Sequence, residues 1–189
     1  MRHAITACGI AAVCCLSLAA CTHSEDRSAP EPSPRSTLQL GRGAETSAVD
    51  SKSTVQIHPD TVVYDGSTSF GDSQHGVFAV VAYQSTNRTA HRATTTAAQG
   101  GFRWKSPDGP AVTAGNTTAA KKLAPIGFSE GGPVLAPRTM HQDVAVFDIT
   151  AAEKGGTLVY VDGDGASSQW KIPATDSGVS VPALKFALN

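Results

Sequence analysis

The sequence predicts an all-β sandwich carried behind an export signal and a polar tether. Three observations lead there. After about position 53 the apolar residues come in short runs rich in Val, Ile, Phe, Tyr and Trp; Gly, Pro, Asp and Asn separate the runs; and no segment sustains a 3.6-residue period. The 189 residues hold one such region, 54–189, near the commonest size of a single domain.

The N-terminus places Arg2 ahead of a run of apolar and small residues that closes on Leu18-Ala19-Ala20-Cys21. A short charged start, a hydrophobic stretch and a small-residue cleavage site form a secretory signal rather than a spanning helix. The four closing residues resemble the lipobox of bacterial lipoproteins. That resemblance implies a diacylglycerol on Cys21, cleavage after residue 20 and a location on the outer face of a cell membrane. All 4 cysteines, Cys8, Cys14, Cys15 and Cys21, lie in or at the end of this signal, so the exported chain is expected to have no internal disulfide and to rely on its core.

Residues 21–53 read as the lipidated Cys and a disordered tether. Ser28-Ala29-Pro30-Glu31-Pro32-Ser33-Pro34 typifies a stretch too poor in large apolar side chains to offset its ordering entropy. With 15 Lys and Arg against 16 Asp and Glu, the formal net charge is −1 and the basic residues are scattered, which argues against a nucleic-acid partner.

Within the domain, strands are expected near 54–64, 77–84, 101–105, 143–149, 157–161 and 169–172. Alternation assigns Val77, Ala79, Val81 and Tyr83 to one inward face, Ala145, Phe147 and Ile149 to another, and pairs Phe102 with Trp104, Leu158 with Tyr160 and Trp170 with Ile172. Turn signals between the strands favour two packed sheets over a barrel. Whether 180–189 adds a strand is left open.

Val81-Ala82-Tyr83-Gln84-Ser85-Thr86-Asn87, Phe102-Arg103-Trp104-Lys105-Ser106-Pro107-Asp108-Gly109 and Leu135-Ala136-Pro137 ahead of Val146-Phe147-Asp148-Ile149 together resemble the immunoglobulin-like (telokin-like) domain of unknown function found in bacterial lipoproteins. The resemblance spans roughly residues 55–173 and implies an immunoglobulin-like β-sandwich without chemistry to carry over. Where that family commonly has a glycine after the Leu-x-Pro turn, this chain has Arg138, and its stretch 110–134 is long.

Candidate chemistry is sparse. Gly127-Phe128-Ser129-Glu130-Gly131 has the spacing of a hydrolase nucleophile elbow, which needs a strand before it and a helix after it; Gly132-Pro133 follows instead, so a glycine-rich loop is expected. His58, His75, His91 and His141 lack metal-site spacing, although a fold could join two of them, with Met140 or an aspartate, around copper or zinc. Asp162-Gly163-Asp164-Gly165 resembles the start of a calcium loop without its later Glu and is read as a hairpin turn, as is Ser106-Pro107-Asp108-Gly109. Lys121, Lys122, Ile126 and Phe128 form a candidate binding loop, the alternative being a packed cover for a sheet edge.

The resulting expectation is a non-enzymatic module without a cofactor, anchored through Cys21, that binds an envelope protein or glycan through loops or a sheet edge. A Cu or Zn envelope protein and an architectural role without a specific ligand are the alternatives.

Overall fold

The structure is a computed structural model that describes residues 34–96, 101–129 and 131–189. The expected signal peptide 1–20, Cys21 and the first part of the expected tether lie outside the described residues.

Six strands match the regions expected from apolar patterning: β3 (Thr54–Asp65), β4 (Val77–Asn87), β5 (Phe102–Lys105), β6 (Met140–Ile149), β7 (Thr157–Val161) and β8 (Ser167–Lys171). Two more precede them, β1 (Pro34–Gln39) and β2 (Ala44–Ser47). Among the described residues there are two α-helices, α1 (Thr118–Lys122) and α2 (Val181–Leu188).

The strands form two principal sheets. In the first, the order is β1-β8-β7-β5 followed by the short strand Val112–Thr113, with β1 parallel to β8 and the other pairs antiparallel. The second runs β6-β4-β3 and ends on Ser177–Gly178, with β2 also pairing β3; all of its pairs are antiparallel. Pro59 sits in β3 where the register with β4 shifts between Pro59 and Thr61, a bulge that tolerates a residue without an N–H.

β1 and β2 correct the expected tether, which was to reach residue 53. Composition counts large apolar side chains, but these segments are held mainly by backbone ladders offered by β8 and β3, which almost any side chain can join. Few apolar groups then suffice. Ala48 is fully buried, Leu38, Leu40 and Ala44 pack against the core, and the Trp170 indole donates to the Arg42 carbonyl at 2.7 Å.

The inner faces of the sheets meet in one core. Val55, Ile57, Val62, Val77, Ala79, Val81, Ala145, Phe147 and Ile149 from the second sheet face Phe102, Trp104, Leu158, Tyr160 and Trp170 from the first. The inward assignments made from alternation all lie in or against this core. Alternation alone left Phe78, Val80 and Ala82 without a role, because Val77–Ala82 is apolar at every position. The reason is a second cluster on the outer face, where Val63, Phe78, Val80, Ala82 and Val146 are covered by Leu184 and Leu188 of α2 and by Ala120, Leu123 and Phe128. The C-terminal segment is thus a helix on this face, and Lys185 ties it to Asp176 at 2.5 Å.

Candidate functional site

The long segment 110–134 begins as a clamp on the open edge of β6. Gly115 N donates to the Val146 carbonyl at 2.7 Å, and Asn116 bonds both backbone groups of Asp148, giving through Nδ2 at 2.7 Å and accepting at Oδ1 at 2.8 Å. Thr117 caps α1 by accepting from Ala120 N and donates to the Asp148 carboxylate at 2.9 Å. That carboxylate, only 2 % exposed, also accepts from Ser73 Oγ at 2.5 Å, Gln74 N at 2.9 Å and His75 N at 3.0 Å. Burial alone would lift its pKa, but the hydrogen bonds from Ser73, Gln74, His75 and Thr117 outweigh burial and hold it below the ordinary carboxylate range.

Past α1 the chain turns away from the strand. Phe128 N donates to the Pro125 carbonyl at 3.0 Å, and Gly127 takes the left-handed φ of 82° that this turn requires. Between this arch and the sandwich lies a cleft of about 350 Å³.

Strand alternation explains what lines it. The inner face of β6 reads Ile149, Phe147 and Ala145 through the core and then continues as Asp143 and His141. On β4 the same face reads Val77, Ala79 and Val81 and continues as Tyr83 and Ser85. The register pairs Asp143 with Tyr83 and His141 with Ser85, so both strands turn polar at the same level and the sheets are not filled by apolar side chains there. Phe102 and Tyr160 of the opposite sheet complete the floor, with ring centroids 4.5 Å apart for Tyr83–Phe102 and 4.8 Å for Phe102–Tyr160. Lys121, Ala124, Ser129 and Thr96 also line the cleft.

The polar groups are unequally satisfied. Tyr160 accepts from Thr96 N at 3.1 Å through its hydroxyl. The His141 Nδ1 lies 3.2 Å from the Gly132 carbonyl oxygen, and the imidazole packs so closely on Gly131 that a Cβ there would stand 2.6 Å from it. Asp143, half-buried, accepts from the adjacent Val144 N at 2.8 Å, and among the described residues no Lys or Arg forms an ion pair with it. Burial pushes its pKa up, against the opposing pull of that bond and of His141. Burial likewise raises the pKa of Tyr83, with Asp143 and Tyr160 adding to it, and that of Tyr160.

The residues singled out in the sequence fall in several places. Lys121 and Lys122 are exposed, Lys121 lines the cleft, and Ile126 stands 89 % exposed at the tip of the turn. Phe128 is 6 % exposed and packed in the outer cluster, so it anchors the loop instead of offering a contact; an aromatic beside a glycine in a loop gives no sign of which way it points. Ser129 is exposed outside any helix, strand or turn, with the Pro125–Phe128 bend before it and the short strand Val134–Leu135 after it, and Glu130 lies outside the described residues.

The histidines are dispersed. His58 Nε2 lies 2.9 Å from the Gly41 carbonyl, His75 and His91 are exposed, and His141 is in the cleft. Among the described residues no three His, Cys, Asp or Glu side chains are grouped as a metal site would need. The Asp162 carboxylate is engaged in its own hairpin, accepting from Asp164 N at 3.1 Å, Ala166 N at 2.9 Å and Ser47 N at 3.0 Å. Gly163 lies so close to the Ala48 carbonyl that no side chain fits there. Alternation placed Tyr83 and Tyr160 inward, where they pack in or against the core and also line the cleft, while Asp143 and Ser85 were missed as cleft residues. The available signal was polarity at inward positions, Asp143 and His141 on one strand and Ser85 on its neighbour.

No protein-family model matches the sequence, and no curated protein matches it. Two solved structures are similar. One is a secreted protein from Mycobacterium tuberculosis, MPT63, 13 % identical, with 74 % of this chain and 98 % of that chain covered and a TM-score of 0.51. The other is a conserved hypothetical protein from Bacillus anthracis, 15 % identical, with 70 % and 94 % covered and a TM-score of 0.40. The likeness to the first concerns the fold alone, an all-β, immunoglobulin-like sandwich. At the position after Leu135-Ala136-Pro137, Arg138 has a φ of 56°, the left-handed conformation that a glycine adopts without strain.

Proposed function

We propose that this chain is an exported, lipid-anchored binding module whose ligand site is the cleft between β6 and the arch 114–129. The observation that carries the reading is a cavity of about 350 Å³ at one end of the sandwich, with an aromatic floor and convergent Asp143, His141, Tyr83 and Ser85. Small-molecule and side-chain sites are concave, largely apolar and equipped with a few placed polar groups, and groups with displaced pKa values gather in them. Fold alone would not license this step. We take the module to be non-enzymatic; what supports this reading is that Ser129 lacks the preceding strand and the following helix of a nucleophile elbow.

The anchor is proposed from Leu18-Ala19-Ala20-Cys21, and with it membership of the bacterial lipoprotein family that the strand motifs resemble. The partner is an envelope or extracellular component, protein or glycan. A Cu or Zn role has no assembled ligand set behind it among the described residues.

Ligand panels followed by amide NMR on the full chain test the site. Binding should move the resonances of Tyr83, Asp143 and Thr96 and be blocked by Ala124→Trp, which fills the mouth from an exposed position. Shifts elsewhere that ignore Ala124→Trp would overturn the reading. For the anchor, mass spectrometry of the cell-bound protein should find Cys21 acylated, and an unmodified thiol would refute it.

A further inference from the structure

We infer that the cleft receives a positively charged nitrogen, an ammonium or guanidinium group, with Asp143 as its counter-ion and Tyr83 and Phe102 as the floor against which its carbon stem lies. This rests on the cleft being the ligand site and names what that site takes.

Among the described residues Asp143 is the carboxylate of the cleft, and its one hydrogen bond there comes from the neighbouring Val144 N, which leaves acceptor capacity on the carboxyl group. Buried charges in native structures are ordinarily paired; here no Lys or Arg of the described residues forms an ion pair with Asp143, and the basic group that acts on it is the His141 imidazole of the same cleft. Among the described cleft residues Lys121 is the single Lys or Arg; it is exposed and forms no ion pair with Asp143. Asp148, on the same strand, shows the alternative, a carboxylate saturated by Ser73, Gln74, His75 and Thr117 and thereby made structural.

The rest of the cleft suits the same ligand. The ring of Tyr83, half-buried in the cleft lining with Phe102 packed against it, offers negative electrostatic surface to a cation and apolar surface to its methylenes. A volume near 350 Å³ is at the small end for ligand sites, enough for one amino-acid side chain or a small amine. An anion would face Asp143 directly, and a neutral polyol would leave its charge uncompensated. The cation has two sources, a free amine or a Lys or Arg side chain of a protein partner.

The test titrates the full chain with butylamine, with the N-acetyl methylamides of lysine and arginine, and with the neutral N-acetyl-norleucine methylamide, reading shifts at Tyr83, Phe102 and Asp143. The cations should bind at least tenfold more tightly than the norleucine compound. Asp143→Asn should abolish that preference while leaving the remaining spectrum unchanged, and Lys121→Ala should leave cation affinity equal or tighter. Tighter binding of the capped amino acids than of butylamine assigns the cation to a polypeptide side chain, and the reverse assigns it to a small amine. Equal binding of norleucine, indifference to Asp143→Asn, or weakening by Lys121→Ala would overturn the inference. If only neutral or anionic members of a wider panel shift the cleft, the cation is wrong and the site stands; if nothing shifts the cleft, both fall.

Discussion

Asp148 and Asp143 stand on one strand and are treated in opposite ways. Asp148, on the outer face of β6, gathers hydrogen bonds from Ser73, Gln74, His75 and Thr117 and is held below its ordinary pKa. Asp143, on the inner face at the unfilled end, accepts from its own neighbour and is pushed above it by burial. A fold that needs a carboxylate surrounds it with donors; one left half-buried without a Lys or Arg beside it costs stability, and groups so displaced gather at binding sites. The contrast extends to the ends of the sandwich. Around Trp104 the core is complete, with Tyr64 edge-on at 6.4 Å, Phe147 at 5.7 Å and the indole donating to the Glu153 carbonyl at 3.0 Å, whereas around Tyr83 the same core opens into the cleft.

The largest effect should come from breaking the filled end. Trp104→Ala removes a side chain with no exposed surface and should cost about 3–5 kcal/mol in chemical denaturation. Next, Asp148→Asn keeps the shape but removes the charge and mismatches several donors, and a loss of about 1–3 kcal/mol is expected. Its pH signature follows from the depressed pKa. The stabilisation from Asp148 is complete above the unfolded-chain value and is lost as pH falls through the lower folded-state value, so the variant should lack that acid-side decline.

Asp143→Asn should act in the other direction. With a raised folded-state pKa, the native state gains stability as pH falls through that value and bears the full cost of the charge above it. The variant should therefore be more stable at neutral pH, by roughly half a kcal/mol, and show no gain in acid where the wild type is already protonated. Smallest of all, Ala124→Trp should leave stability within about half a kcal/mol, because it alters the mouth and not the packing. A large loss there would mean that the arch depends on an empty cleft for its own folding.

The filled end was legible in the sequence and the open end was not. Trp104, Phe147, Leu158 and Trp170 announce themselves because period-two alternation of large apolar residues has few other uses. The outer cluster was hidden because a strand buried on both faces loses its alternation, as Val77–Ala82 does, and its covering helix α2 is short and begins at a proline-containing turn. β1 and β2 were hidden because ladder bonds are indifferent to composition. Asp143 was hidden for a different reason. A polar residue at an inward position looks like the end of a strand, and only the pairing of Asp143 with Tyr83 and His141 with Ser85 shows two strands turning polar at one level.

The most direct test is a carbon-detected NMR titration of the side-chain carboxyls of Asp143 and Asp148 in one sample of the full chain. The account predicts midpoints on opposite sides of the ordinary carboxylate range, Asp143 above and Asp148 below. A midpoint for Asp143 at or below that range would mean that its charge is already compensated within the fold, and the cleft would lose its claim to be a prepared site.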